Sequence, residues 1–213
     1  MLGLLLTLAG AAPDPIDRFV RSFLAEHRIP SAAIAVVRHG RVAKLAGYGQ
    51  ASLELPAPAG PHTVYEIGSI TKQFTAEVVM LLAGEGKLEL EAPIARYLPG
   101  LPDSWRGIRI RHLLTHTSGL PDWEEPGWLD FRREYTPAEF VQLIGAHPLA
   151  FAPGDKWAYS NSAYPLLGML IERVTGQPYA QVVTERIFRP AGMRETRFRR
   201  AGAIVANRAA GYV

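Results

Sequence analysis

The chain has no cysteine, which excludes disulfides, thiolate metal sites and a cysteine nucleophile. Lysine is nearly as scarce: apart from Lys44, Lys72, Lys87 and Lys156 every basic side chain is arginine. Long apolar runs are few. The clearest, MLGLLLTLAGAA at residues 1–12, is too short for a comfortable membrane span, and no later stretch is a candidate for one. It ends in Ala9-Gly10-Ala11 and reads as a signal-peptide remnant without its basic start. The expected location is therefore periplasmic or secreted, or cytoplasmic if the run is a plain apolar segment. No G-x-S-x-G elbow occurs, which removes that kind of Ser-His-Asp hydrolase. The formal charge is only +3, and the cluster Arg194, Arg197, Arg199 and Arg200, with the single aromatic Phe198 among them, belongs to no nucleic-acid motif. It reads as a solvated face, and no nucleic-acid partner is expected.

What is present describes a folded chain. An apolar fraction of 48% with 20% charged residues over 213 positions supports a substantial core in one large domain or two small ones. Asp14-Pro15 opens a helix, with Ile16, Phe19, Val20, Phe23 and Leu24 as its core stripe and an end near His27. The apolar run Ser31 to Val37 reads as a strand covered on both faces. His39-Gly40 makes a tight turn and Arg41 to Ser52 returns, giving a β-hairpin. The proline-rich stretch Leu55 to Pro61 marks departure from that sheet, and Thr63 to Ile67 is strand-like. From Ser69 onward the pattern is mainly helical: Ser69 to Ala83, a helix after the capping box Thr136-Pro137-Ala138-Glu139, one from Ser162 to Val174 ending at Gly176, and one from Tyr179 to Ile187. The expected parts are residues 1–12 as a leader remnant, 13–55 as helix plus hairpin, and 56–213 as a mainly helical region.

Two stretches carry chemistry. In Ser69-Ile70-Thr71-Lys72 a hydroxyl and an amine lie at i and i+3, on one helix face and separated by a rise of roughly 4.5 Å. Serine needs a neighbouring base to become a good nucleophile, and a desolvated lysine can lose its proton and serve. The same residues also read as a helix cap followed by a solvated lysine. In Tyr159-Ser160-Asn161 a phenol near an ammonium can act as a general base, and an amide can both donate and accept. There the plainer reading is an N-cap and a core aromatic. His112 and His116 have a metal-like helical spacing, but no third ligand is near, so no metal or cofactor is expected.

Taken together with Leu113-Leu114-Thr115-His116-Thr117-Ser118-Gly119-Leu120, these motifs resemble the penicillin-recognising serine hydrolases, in the branch related to class C β-lactamases that also holds esterases and D-amino-acid peptidases and carboxypeptidases. The flanks Tyr65-Glu66-Ile67-Gly68, Gly86-Lys87-Leu88, Val174-Thr175-Gly176 and Gly192-Met193 match in order. The resemblance implies an α+β, β-lactamase/transpeptidase-like fold, with a partial antiparallel sheet beside a mostly helical region. It implies Ser69 as acylated nucleophile, Lys72 as the amine that shuttles its proton, Tyr159 as general base or acid, and Asn161 as the substrate-contacting amide. The His116 to Leu120 loop would shape the site rather than react. Substrates would be small molecules or peptides carrying an ester, amide or β-lactam carbonyl; oligomeric state is open. The alternative is a non-catalytic module that binds peptidoglycan peptides or a protein partner. The family's third triad, Lys-Thr-Gly or His-x-Gly on a late strand, does not occur here, so the expectation is a C-terminally truncated chain with impaired activity.

Overall fold

The computed structural model describes residues 14–124, 128–130, 133–199 and 202–212, so the proposed leader at 1–12 lies outside the described residues. The chain divides into two compact units, 14–66 with 202–212, and 67–199. The division thus falls after Glu66 rather than after Leu55, and the last described residues return to the first unit.

In the first unit, helix α1 (Pro15–Glu26) starts where Asp14 accepts a hydrogen bond from the Ile16 N–H with proline at the first helical position. Strands β1 (Ser31–Arg38) and β2 (Arg41–Ser52) pair antiparallel, with Ala33 opposite Gly47 and Ala35 opposite Leu45. His39 and Gly40 both have positive φ, the geometry of the tight hairpin turn whose twist matches the strands. Val20, Leu24 and Tyr48 form the core here, with Ile16, Ala32, Ile34 and Ala46 packed around them. Lys44 ties the helix to β2 by ion pairs to Asp14 (2.6 Å) and Asp17 (2.7 Å).

Three expectations need correction. β1 is not covered on both faces: Ala33, Ala35 and Val37 alternate outward, with Val37 61% exposed. An all-apolar run hides the two-residue period that would have shown this. The proline-rich stretch does not leave the sheet at once, because Ala57–Pro58 forms a short strand β3 against β2. Proline is tolerated there because β3 is an edge, where its missing N–H costs no ladder bond. Finally, Thr63 to Ile67 is not a strand; Val64 alone bridges Arg208, exchanging backbone hydrogen bonds with Asn207 and Ala209.

The second unit is helical. A 3₁₀ turn (Gly68–Ile70) runs into α2 (Thr71–Gly84), followed by α3 (Ile110–Leu114), α4 (Pro137–Gly145), α5 (Ala163–Thr175) and α6 (Tyr179–Val183), the last continuing as a π-helical turn through Phe188. Thr136 and Glu139 form the reciprocal capping box at the start of α4, and Gly176 ends α5 in the left-handed conformation. Helix α5 is the hub: Leu166, Leu167, Leu170 and Ile171 are fully buried, and it packs on α2, α3 and α6. At about 2 kcal/mol for each fully buried aliphatic side chain, this stripe is a main support of the unit.

The loop after α3 is stitched to the segment that leads into α5. The Gly119 carbonyl accepts from the Ala150 N–H (2.8 Å), Thr117 from Gly154 (2.8 Å) and His116 from Ala158 (3.0 Å). Gly119 has φ of +75°, and a Cβ there would lie 2.1 Å from the Phe151 carbonyl oxygen. Only glycine fits, for reasons of both backbone conformation and space. Gly119→Ala is therefore expected to lower unfolding stability by at least about 2 kcal/mol. Chemical denaturation of the two proteins checks it; an unchanged midpoint would show that the stitch is dispensable.

Candidate active site

The four residues singled out in the sequence meet at one point. Ser69 sits in the 3₁₀ turn and Lys72 in the first turn of α2; Tyr159 lies in the irregular segment before α5 and Asn161 in the turn that leads into that helix. In 3₁₀ geometry residues i and i+3 eclipse, so the entry to α2 sets Lys72 directly over Ser69. The Lys72 ammonium donates to Ser69 Oγ at 3.1 Å and to Asn161 Oδ1 at 2.8 Å. The Tyr159 hydroxyl donates to the same Ser69 Oγ at 2.8 Å. One oxygen thus receives two donors from parts of the chain some 90 residues apart. Asn161 is not the N-cap of α5; Ser162 occupies that position, which leaves the amide for the site.

The orientation of Asn161 follows from chemistry. Its other side faces Asp122, whose Oδ2 accepts from both the Asn161 backbone N–H and Nδ2 at 3.3 Å. A carboxylate accepts and an ammonium only donates, so the amide nitrogen must face Asp122 and the amide oxygen Lys72. The lysine head also lies 4.8 Å from the Tyr159 ring centroid and 5.5 Å from that of Tyr164, within range for attraction to their π faces.

These contacts tune the phenol. Burial pushes the Tyr159 pKa up, but the interactions with Lys72 and the Ser69 hydroxyl outweigh burial, and the net value lies below the ordinary phenol range. Tyr164 moves the other way, raised chiefly by its burial. Of the two tyrosines facing Lys72, Tyr159 is therefore the one prepared to hold a negative charge. It is 41% exposed, open enough for a substrate to reach.

Beside Ser69 lies a cleft of about 560 Å³ whose walls include Trp123, Glu124, Tyr164 and Tyr179. A larger groove of about 1250 Å³, lined by residues such as Leu101, Val141 and Gln177, contains none of the four. Chemistry therefore selects the smaller cleft. Among the described residues no group of three or more His, Asp or Glu side chains could hold a metal ion. His112 and His116 have separate tasks: His112 Nδ1 accepts from the Arg109 N–H, and His116 Nδ1 from the Ser160 N–H.

Sequence reasoning missed Asp122 and Tyr164. Asp122 directly follows Leu120-Pro121 at the end of the shaping loop and is the first acid after it. Tyr164 follows Asn161 by three positions at a helix start, a spacing that puts it on the same side.

Comparison with known proteins shows the family. The family model described as Beta-lactamase matches residues 16–213, and the chain belongs to that family, with its α+β, β-lactamase/transpeptidase-like fold. It is 36% identical over 199 residues to Esterase EstB of Burkholderia gladioli, covering 86% of this chain and 50% of that one. It is 39% identical over 155 residues to Penicillin-binding protein 4* of Bacillus subtilis (strain 168), covering 70% of this chain and 34% of the relative. Among solved structures, the D-amino acid amidase of Ochrobactrum anthropi SV3 in complex with L-phenylalanine amide superposes with a TM-score of 0.75 at 30% identity, over 85% of this chain and 52% of that chain. The chain thus spans between a third and a half of the length of these curated relatives.

Removing the Asp122 carboxylate frees the Asn161 amide to rotate away from Lys72. Asp122→Ala is expected to slow reaction at Ser69 by about 10- to 100-fold, as a misplacement near the reacting atoms does. Labelling kinetics with a fluorophosphonate, alongside far-ultraviolet circular dichroism to establish folding, check it. An unchanged rate would show that Asn161 needs no such support.

Proposed function

We propose that the chain is a serine hydrolase acting through an acyl-enzyme, with Ser69 as nucleophile, Tyr159 as general base, Lys72 as the cation that stabilises the phenolate, and Asn161 as the amide that orients Lys72 and meets the substrate. The observation that carries this reading is the convergence of Lys72 and Tyr159 on Ser69 Oγ. The Ser69 proton passes to the Tyr159 oxygen as Oγ bonds to the substrate carbonyl carbon. Tyr159 then returns that proton to the leaving group as its bond to carbon breaks. In the second half Tyr159 takes a proton from water, the hydroxide attacks the ester carbonyl, and Ser69 leaves and is reprotonated. The Ser69 backbone N–H is one donor to the oxyanion, a kind of interaction that lowers such barriers by several kcal/mol.

The relatives named for esterase and amidase activity support a carbonyl ester or amide as substrate. An aromatic-walled cleft of this size fits a small acyl group or a single amino-acid residue. Export to the periplasm or medium belongs to the same proposal and rests on residues 1–12 alone.

Intact-mass measurement after fluorophosphonate treatment is expected to show one adduct, lost in Ser69→Ala. Tyr159→Phe is expected to slow labelling by roughly 10²- to 10⁴-fold, the range for a lost general base. Adduct formation by Ser69→Ala would refute Ser69 as the nucleophile, and none by the wild type while it still binds peptidoglycan peptides would favour the binding module instead. Because the deprotonated phenol is the active form, the rate should rise with pH through the Tyr159 pKa. It should level off below about pH 10, where an unperturbed phenol would still be half protonated. A rate still climbing beyond that pH would contradict the role of Lys72.

A further inference from the structure

The His116 imidazole lies against the ring of Tyr159, with centroids 4.5 Å apart and planes inclined by 30°. On its other neighbours it meets Tyr164 at 5.3 Å and the edge of Trp157 at 6.4 Å. Its Nδ1 accepts the Ser160 N–H at 3.2 Å, and its own carbonyl accepts the Ala158 N–H at 3.0 Å. The residues on both sides of Tyr159 are thus fastened to one histidine, and the Tyr159 ring rests on its face. His116 holds φ of +57°, a left-handed conformation that few residues other than glycine, asparagine, aspartate and histidine adopt readily. The acceptor role at Nδ1 requires the neutral ring, with its proton on Nε2.

We infer that His116 is the positioning residue for the Ser69 site, that it works through the neutral Nδ1, and that protonation of the ring dismantles the site from the acid side. This rests on the functional reading above only for its effect on rate. Protonated Nδ1 is a donor facing the Ser160 donor, so that hydrogen bond is lost. The charged groups facing the ring from neighbouring elements are Lys72 of α2 and Asp122 of the loop; Tyr159 and Tyr164 complete its titratable surroundings. Burial is the main influence holding the His116 pKa below the usual histidine value, with Lys72 repulsion next, while the Ser160 contact and Asp122 oppose them less strongly. The neutral form is accordingly kept through ordinary pH, and it is lost only as pH falls through this depressed value. The site is therefore intact at and above the ordinary histidine pKa and fails only as pH falls through the lower value that His116 holds.

The discriminating variant is His116→Asn. Asparagine places Oδ1 near the position of Nδ1, accepts the Ser160 N–H, tolerates positive φ and does not titrate. Fluorophosphonate labelling of the wild-type chain and of His116→Asn would be followed from pH 4.5 to pH 8. The ratio of the two rates cancels the dependence on Tyr159. It is expected to be flat above about pH 7 and to move about tenfold per pH unit against the wild type below the His116 pKa. His116→Leu, which offers no acceptor, is expected to lose on the order of 10²-fold at every pH. A flat ratio throughout, or equal rates for the Leu and Asn variants, would overturn the inference. Should the wild type not be labelled at any pH, the hydrolase reading fails, and NMR decides His116 separately. As His116 titrates, the Ser160 amide and the Tyr159 ring resonances should move with its midpoint, and both should stay still over that range in His116→Asn. Titration of His116 with both resonances unmoved, or a neutral ring protonated at Nδ1, would again overturn it.

Discussion

The site depends on one cation with two acceptors. Lys72 reaches back three residues to Ser69 and across 89 residues to Asn161, and this double hydrogen bond joins the start of α2 to the segment preceding α5. A lysine ammonium has three donors and no acceptor, so it can hold two oxygens at once but cannot choose their orientation. Orientation comes from behind: Asp122 turns the Asn161 amide, and His116 holds the backbone on which Tyr159 is mounted. The cation, together with the Ser69 hydroxyl, also outweighs the effect of burial on the Tyr159 phenol, which is what the proposed base requires.

This arrangement explains why the core of the second unit is built as it is. The reacting atoms come from the N-terminal approaches to α2 and α5, and those two helices pack on one another through a buried aliphatic stripe. Side-chain packing at native density leaves little slack, so the two helix starts are held in register and the 2.8 Å contacts survive. The loop from Thr115 to Leu120 contributes backbone carbonyls and one imidazole rather than a reactive group. Gly119 is its fixed point, since no other residue could pass the Phe151 carbonyl.

Much of this was readable in the sequence. The hairpin, the helix starts at Asp14-Pro15 and Thr136-Pro137, and the end of α5 at Gly176 follow local rules that leave marks in a few residues. The Ser69, Lys72, Tyr159 and Asn161 set was found because each member belongs to a short motif. Asp122 and Tyr164 were not, because their contacts span 39 or more residues and belong to no short motif, the spacing of Tyr164 from Asn161 being the one local mark. The outward face of β1 was misread because alanine and valine suit a covered and an open face alike. Nor does the sequence record that Lys72 is set between two acceptor oxygens and two aromatic faces, the surroundings on which the proposed division of roles between Lys72 and Tyr159 rests.

The central claim, that Lys72 prepares Tyr159 as the base, has a direct physical readout that needs no substrate. The ¹³Cζ resonance of Tyr159, followed against pH in the wild type and in Lys72→Met, reports the phenol's protonation at the site itself. The expected result is a midpoint below the ordinary phenol value in the wild type, and a higher one once the cation is gone and only the Ser69 hydroxyl opposes burial. Identical midpoints in the two proteins would contradict it.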